Sequence, residues 1–121
     1  MNNLQYKDFS IETIISSVSD LKAGATVSFI GSVRCEDELK ALQYETYDEM
    51  AIKVLKQIRE AAIEKFGLIK AEIVHRKGQI KIGEKVVIIA CSAPHREEAF
   101  RACEWIISEI KKSVPIWKKE I

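Results

Sequence analysis

The sequence predicts an α+β fold in which helices pack on a largely antiparallel sheet. Segments with apolar residues at helical spacing alternate with short segments rich in β-branched residues, in the order α, β, β, α, β, β, α. No repeat, low-complexity tract or linker divides the 121 residues, of which 47% are hydrophobic. We therefore expect a single domain over residues 1–121 with its own hydrophobic core.

The first half of the chain predicts one helix and two strands. Apolar residues at helical spacing predict a short helix over residues 11–21, which ends before Gly24. Residues 25–33 are rich in β-branched and aromatic side chains and predict a strand. Residues 39–47 alternate in polarity after the acidic turn 36–38 and predict a second strand. We expect the two strands to pair as a hairpin.

The second half predicts a long helix, two strands and a final helix. Apolar residues recur every fourth position over residues 48–66, and strands are predicted over 71–82 and 85–93, the second apolar enough to lie centrally in a sheet. The final helix is predicted to start at Pro94 and to stop before Pro115. Its apolar face is predicted to consist of Phe100, Cys103, Ile107, Ile110 and Val114.

Composition argues against several classes of function. The formal net charge is +1, so a broad nucleic-acid surface is not expected. The sequence has no apolar run of about 18 residues that would cross a bilayer and no export signal at its start. Three cysteines without a CxxC pair are typical of a reducing compartment, so we predict a cytoplasmic protein. Neither histidine stands at a zinc-like spacing from a cysteine, and no metal site is predicted.

His95 and Arg96 lie where the final helix is predicted to begin. Unpaired backbone N–H groups and the helix dipole favour an anion at such an end, so a phosphate could bind there. The alternative is structural, with His95 capping the helix and Arg96 pairing with a nearby glutamate.

A basic segment with one tryptophan closes the sequence. Residues 115–120 follow Lys111 and Lys112 and bring the number of lysines in this region to four. A lysine beside a tryptophan and a proline-fixed turn can act as acid, base or nucleophile when it is partly desolvated. The alternative is a solvated basic tail at a helix carboxyl end.

Arg34 follows the predicted strand 25–33 and is expected to project from a sheet edge. From there its guanidinium can bind a phosphate through two hydrogen bonds, although a surface ion pair with the acidic turn 36–38 is an equal alternative. The neighbouring Cys35 is more readily explained as an inert thiol than as a nucleophile.

Together, five segments resemble the MoaE family, the large catalytic subunits of molybdopterin synthase. Order and spacing match from Gly24 onward, and the combination of HR-x-x-AF with PIWKKE is more specific than either motif alone. The turn after Arg34 is shorter and more acidic than in many relatives, and the sequence stops at Ile121 where many continue. The matching segments are Gly31–Arg34, Leu42–Tyr47 with Met50 and Ala51, His75–Gly78, Ser92–Arg96 with Ala99 and Phe100, and Pro115–Glu120.

The resemblance implies an enzyme that converts cyclic pyranopterin monophosphate to molybdopterin by installing two sulfurs as a dithiolene. It also implies a partner, a small ubiquitin-like sulfur-carrier subunit whose carboxyl-terminal Gly-Gly tail ends in a thiocarboxylate. That partner supplies the sulfur, so no cofactor of the chain itself is expected. Matched position by position, the implied catalytic residues are Lys118 and Lys111. The implied substrate-binding residues are Arg34, His95, Arg96, Lys119 and Glu120.

These roles differ in kind. Lys118 is expected to act at the thiocarboxylate or at the reacting pterin carbon, and Lys111 to assist the movement of charge or protons. Arg34, His95 and Arg96 are expected to hold the phosphate.

Helix length adds an expectation about assembly. His95 and Lys111 are 16 residues apart, or about 24 Å along a helix, so one pterin cannot touch both. We therefore predict a homodimer with composite pockets and a heterotetramer with two small subunits at its far ends. The alternative that stays open is a non-catalytic relative that binds the small subunit or an anionic pterin without turnover.

Overall fold

The computed structural model describes residues 3–121 and contains three helices and seven strands within that range. In chain order, the elements are β1 (Leu4–Gln5), α1 (Ile11–Val18), β2 (Ala25–Ser32), β3 (Ala41–Thr46), α2 (Asp48–Phe66), β4 (Lys70–Arg76), β5 (Gly78–Lys81), β6 (Lys85–Ala93), α3 (Arg96–Ser113) and β7 (Ile116–Glu120).

The strands form two sheets rather than the one that was predicted. The first sheet has the order β1-β4-β6-β2, and the second has the order β5-β3-β7. All pairs are antiparallel except β1 with β4, which is parallel. The α+β class with largely antiparallel pairing is therefore confirmed. The single domain over residues 1–121 stays a prediction, and its first two residues lie outside the described range.

The predicted hairpin between the first two long strands is wrong. β2 pairs with β6, from Ala25 opposite Ala93 to Ser32 opposite Lys85, whereas β3 pairs with β5 and β7 in the other sheet. β6 is buried along almost its whole length, so it gains most by having a partner strand on each side. The chain between β2 and β3 thus crosses from one sheet to the other.

The predicted strand 71–82 is broken at Lys77. Gly78 has a φ of 87°, a conformation that glycine adopts at little cost, and the chain turns there from β4 in the first sheet to β5 in the second. The carboxyl-terminal segment, for which no helix or strand was predicted after Pro115, contains the strand β7. Its pairing with β3 spans most of the chain, so no local pattern indicated it.

The helix boundaries shift by a few residues. α1 ends at Val18 instead of residue 21, and α3 begins at Arg96 rather than Pro94. α2 has its predicted bounds and ends at Gly67, whose φ of 64° provides a left-handed cap.

The main core lies between the first sheet and the pair α2 and α3, while α1 covers the opposite face of that sheet. The burial of two helical residues differs from the prediction. Met50, the first residue of the predicted apolar repeat of α2, is exposed, whereas Ile58 and Ala62 of that repeat are buried. Phe100 of α3 is 61% exposed although its apolar spacing predicted burial. The buried residues of α3 are Ala99, Ala102, Cys103, Ile106 and Ile110.

Over residues 3–121, none of the helices is both long enough and apolar enough to cross a bilayer.

Candidate active site

A cavity of about 450 Å³ opens where the two sheets meet the end of α3. Its wall from the first sheet includes Phe29 and Gly31 of β2 and Val87 of β6. A built Cβ at Gly31 would lie 2.9 Å from Val87 Cγ1, so glycine keeps this wall open. The volume is in the range of pockets that hold small molecules.

Lys111 and Lys118 both line this cavity. Lys111 lies in the last turn of α3, where the carbonyl end of the helix favours a cation. Lys118 lies on β7 opposite Tyr44 of β3, whose side chain is also at the cavity. The two residues that the sequence predicted as catalytic are therefore brought to one site by two different elements. Lys112, by contrast, contacts Glu109 at 3.5 Å and is outside the cavity.

The other two predicted residues of β7 are not in this cavity. Side chains alternate between the faces of a strand, so Lys119 points to the opposite face of the second sheet from Lys118. Glu120 pairs with Leu42 and lines a neighbouring depression together with the acidic turn Glu36–Leu39. The structure thus separates Lys119 and Glu120 from the lysine-lined cavity.

Tyr44 and His75 were not predicted as site residues, although both belong to segments that carried the family resemblance. Their rings meet edge to face with centroids 5.6 Å apart, and both line the cavity. His75 Nδ1 lies 2.6 Å from the Arg76 carbonyl oxygen. Because a carbonyl only accepts, Nδ1 carries the proton and Nε2 is left as the acceptor of the ring. The signal in the sequence that could have identified these two residues was a polar side chain within a segment predicted to be a strand.

Burial sets the protonation of these two groups. Desolvation lowers the pKa of His75 below its ordinary value of 6.5, and the hydrogen bond to the Arg76 carbonyl offsets only part of this. Desolvation also raises the pKa of the Tyr44 hydroxyl above 10.0. Near neutral pH the site therefore holds a neutral imidazole beside a neutral phenol.

We expect the buried imidazole to make stability depend on pH. At a pH below 6.5, the ordinary pKa of histidine, His75 takes up a proton in the unfolded chain but resists protonation in the folded protein. The contribution of His75 to the free energy of unfolding is therefore constant above that pH and is lost as the pH falls through and below it. Urea unfolding at about pH 7.5 and about pH 5.5 should show a lower midpoint at the acid value, before most carboxyl groups titrate. The drop should shrink in His75→Gln and persist in the exposed His95→Gln; an unchanged drop in His75→Gln would contradict this origin.

His95 and Arg96 lie at the other end of α3. They line a separate pocket with Gly24 and Pro94, and both are exposed. His95 occupies the N-cap position but makes no capping hydrogen bond, and its Nδ1 is 4.0 Å from Glu98 Oε1. Within the described residues Arg96 forms no ion pair. The structure therefore does not show the alternative in which His95 caps the helix and Arg96 pairs with a nearby glutamate.

The two parts of the predicted site are far apart within one chain. α3 has 18 residues, so about 25 Å separates its first residue from its last. His95 and Arg96 stand at one end, and the cavity with Lys111 and Lys118 at the other.

Arg34 is two residues beyond the end of β2, whose last residue, Ser32, is at the cavity. Its side chain is 81% exposed and pairs with Glu36, which is the ion pair considered from the sequence. Asp37 in the same turn has a φ of 40°. Arg34 thus stands beyond the cavity edge and is held by an acidic turn.

Gly24 allows the backbone before β2 to approach the turn that leads into α3. A built Cβ there would lie 2.2 Å from the Pro94 carbonyl oxygen, and the Gly24 N–H donates to the Ala93 carbonyl at 3.0 Å. Gly24→Ala should therefore lower the free energy of unfolding by about 1–3 kcal/mol, as overpacking does. Urea denaturation would measure it beside Leu21→Ala, a change at a fully exposed side chain; equal midpoints for both variants would contradict the close approach.

Known proteins resemble this chain over most of its length. A family model described as MoaE protein matches residues 4–113. The molybdopterin synthase catalytic subunit of Pyrococcus abyssi is 46% identical over 118 residues, which is 95% of this chain and 80% of that protein. The Bacillus subtilis catalytic subunit is 47% identical over 113 residues, 91% of this chain and 72% of that one.

Solved structures share the fold. Molybdopterin synthase from Staphylococcus aureus superimposes with a TM-score of 0.93 at 40% identity, over 98% of this chain and 89% of that one. A complex of subunits 1 and 2 of the molybdopterin-converting factor from Helicobacter pylori gives a TM-score of 0.82 at 20% identity, over 98% and 82% of the chains, and is similar in fold.

The fold and the lysine-lined cavity define an α+β protein with a pocket of small-molecule size between its two sheets. The chain belongs to the MoaE family, in which the relatives named above are molybdopterin synthase catalytic subunits. It is thus an enzyme subunit of molybdenum cofactor biosynthesis, and the resemblance inferred from its motifs is confirmed.

Proposed function

We propose that the chain converts cyclic pyranopterin monophosphate to molybdopterin by sulfur transfer in the cavity between the two sheets. The observation that carries this proposal is the convergence of Lys111 and Lys118 on that one cavity from two different elements. The ring of a pterin fits a pocket of about 450 Å³.

The sulfur donor in this proposal is the carboxyl-terminal thiocarboxylate of a small ubiquitin-like subunit with a Gly-Gly tail. The solved complex of subunits 1 and 2 of the Helicobacter pylori converting factor supports a small-subunit partner for this fold. Such a tail is extended and lacks side chains at its tip, so it can enter a narrow cavity beside β7. Because the partner brings the sulfur, the reaction needs neither a bound cofactor nor a metal ion of the chain, and the reducing cytoplasm is the compartment that suits it.

Each lysine has a distinct proposed role. Lys118 acts on the thiocarboxylate or on the pterin carbon that receives the sulfur, because it stands on the cavity wall opposite Tyr44. Lys111 stabilises the negative charge of the reacting sulfur or moves a proton from the last turn of α3. The neutral His75 is available nearby as an acceptor.

Phosphate binding is the proposed role of Arg34, His95 and Arg96. Because His95 and Arg96 stand about 22–24 Å from Lys111 along α3, they serve the cavity of a second copy rather than their own. The active assembly is then a homodimer with two composite pockets, joined by two small subunits as a heterotetramer. Lys119 and Glu120 support the partner or the pocket rim from outside the cavity.

The test is a reconstitution. Purified chain is mixed with thiocarboxylated small subunit and cyclic pyranopterin monophosphate, and molybdopterin is measured. We expect product with the thiocarboxylate and none with the small subunit that ends in a plain carboxylate. A stable complex without product would overturn the catalytic proposal in favour of a relative that only binds.

A further inference from the structure

The side chains that line the cavity differ in the hydrogen bonds they can make. Lys111 and Lys118 carry ammonium groups, which only donate. Ser32 and Tyr44 carry hydroxyls, which both donate and accept, and apart from His75 the other lining residues are apolar. No carboxylate of residues 3–121 lines this cavity. A ligand with an edge of N–H donors therefore meets few acceptors here, and a neutral imidazole is one of them.

His75 presents a single acceptor atom. Its Nδ1 donates to the Arg76 carbonyl oxygen at 2.6 Å, which leaves the lone pair of the ring on Nε2. The Arg76 backbone is held in turn, because the Arg76 guanidinium donates to the Tyr6 carbonyl at 3.1 Å and to the Lys85 carbonyl at 3.0 Å. These contacts fix the tautomer of the imidazole before any ligand binds.

The acceptor atom is free and faces the cavity. Within residues 3–121, Nε2 of His75 has no hydrogen-bond partner, yet it is not among the fully enclosed polar atoms of that range. Because His75 is a buried residue that lines the cavity, access to Nε2 is from the cavity. The edge-to-face contact with Tyr44 restrains the plane of the ring.

An acceptor in this position selects among ligands. A ligand that fills the cavity displaces water from Nε2, so it must supply an N–H or O–H group there or leave the acceptor unpaired. Sites of this kind strongly reject an analogue that lacks the donor. A pterin meets the requirement, because its pyrimidine edge and, in the reduced form, its second ring carry N–H groups. Its flat faces suit the apolar walls, which include Phe29 and Ile107.

We propose that Nε2 of His75 accepts a hydrogen bond from an N–H group of the pterin and that His75 thereby determines which heterocycle the cavity binds. This inference rests on the proposed function, since it takes the pterin as the occupant of the cavity. The nitrogen-bearing edge of the ring is then directed toward β4. His75 contributes to binding, and the two lysines are left to act on the sulfur.

Two substitutions at this position separate recognition from structure. His75→Leu and His75→Gln both remove the hydrogen bond from Nδ1 to the Arg76 carbonyl, but only glutamine places an acceptor oxygen near the position of Nε2. Equilibrium dialysis of cyclic pyranopterin monophosphate against the full chain, without the small subunit, measures the dissociation constant. We expect His75→Leu to raise this constant by about tenfold or more, and His75→Gln to stay within about threefold of the unmodified protein. Equal constants for the two variants would overturn the proposal.

Inorganic phosphate separates the contact with the ring from the contact with the anion. Its competition constant against bound pterin should be the same in His75→Leu as in the unmodified protein, because the imidazole contacts the ring. A phosphate constant that weakens together with the pterin constant would show that the substitution disturbs the whole site, which would overturn the assignment.

A change in the ligand tests the same contact in the unmodified protein. Tetrahydropterin is compared with a derivative in which its N–H groups are methylated. The methylated compound should bind at least about tenfold more weakly than its parent, and His75→Leu should lose most of that preference. An unmodified protein that binds the two compounds equally would overturn the proposal, whether or not the variants fold.

Activity distinguishes this inference from the proposed function. In molybdopterin formation with the thiocarboxylated small subunit, His75→Leu should raise KM for the pterin by the same factor as the dissociation constant and leave kcat within about threefold. A protein with the expected difference in binding that forms no molybdopterin would refute the sulfur transfer and leave recognition by His75 standing. An active protein that binds the pterin equally well as His75→Leu and as His75→Gln would refute the recognition alone.

Discussion

Replacing Lys118 by alanine is expected to reduce molybdopterin formation by at least about 100-fold, the scale on which a positioned acid, base or nucleophile contributes. The side chain lies on the wall of the cavity where the sulfur is proposed to move, opposite Tyr44. Because Lys118 is exposed and makes no ion pair within the described residues, its loss should not unfold the chain. Single-turnover reaction with thiocarboxylated small subunit measures the effect apart from product release.

Lys112→Ala is the matched control. Lys112 belongs to the same basic region, but it contacts Glu109 on the surface and does not line the cavity. Its removal should leave the rate within about twofold, as expected for an exposed ion pair. Lys111→Ala should fall between the two. Similar rates for Lys112→Ala and Lys118→Ala would show that only the overall positive charge matters, which contradicts a specific role for Lys118.

Mixing two inactive variants is expected to restore activity. A Lys118→Ala chain retains Arg96, and an Arg96→Ala chain retains Lys118. If each pocket combines Lys118 of one copy with Arg96 of the other, a mixed dimer has one complete pocket and one doubly damaged pocket. Random mixing gives mixed dimers as half of the population, so activity should reach about a quarter of the unmodified level.

The readout is the molybdopterin-forming activity of the mixture, compared with the sum of the activities of the two variants assayed separately. The chains must be mixed under conditions that allow subunit exchange, and the double variant Arg96→Ala with Lys118→Ala, mixed with the unmodified chain, serves as a reference. In that reference, a mixed dimer has no complete pocket and only the unmodified homodimers are active, so exchange should lower the activity from about half to about a quarter of the unmodified level. Absence of any rise in the first mixture, with exchange verified by mass spectrometry of tagged chains, would exclude composite pockets.

Local patterns predicted the helices and most strands because each is defined within a short window. The apolar repeat and Gly67 predicted α2 with its correct ends, and the apolar run of β6 predicted a central strand. What could not be predicted was pairing between distant segments. Thr46 and Ile116 are partners across 70 positions, so β7 was indistinguishable from a basic tail.

In the candidate site too, local motifs were predicted and contacts between distant segments were not. Lys111 and Lys118 were recognised through motif resemblance, and the structure brings both to one cavity. Tyr44 and His75 were missed because their position depends on the meeting of two sheets, which the predicted single sheet lacked. Phe100 was predicted to be buried from its spacing, and in one chain it is not. The apolar spacing along a helix indicates which side chains are shielded from water. It does not indicate whether the same chain or another chain covers them.

The position of β7 has a consequence for motion. Within the described residues this strand pairs only with β3, and four of its five side chains are exposed. Edge elements with few buried contacts open locally at a much smaller free energy than central strands such as β6. The wall that carries Lys118 is therefore expected to open locally more readily than the wall formed by β6, so that an incoming peptide tail can displace it.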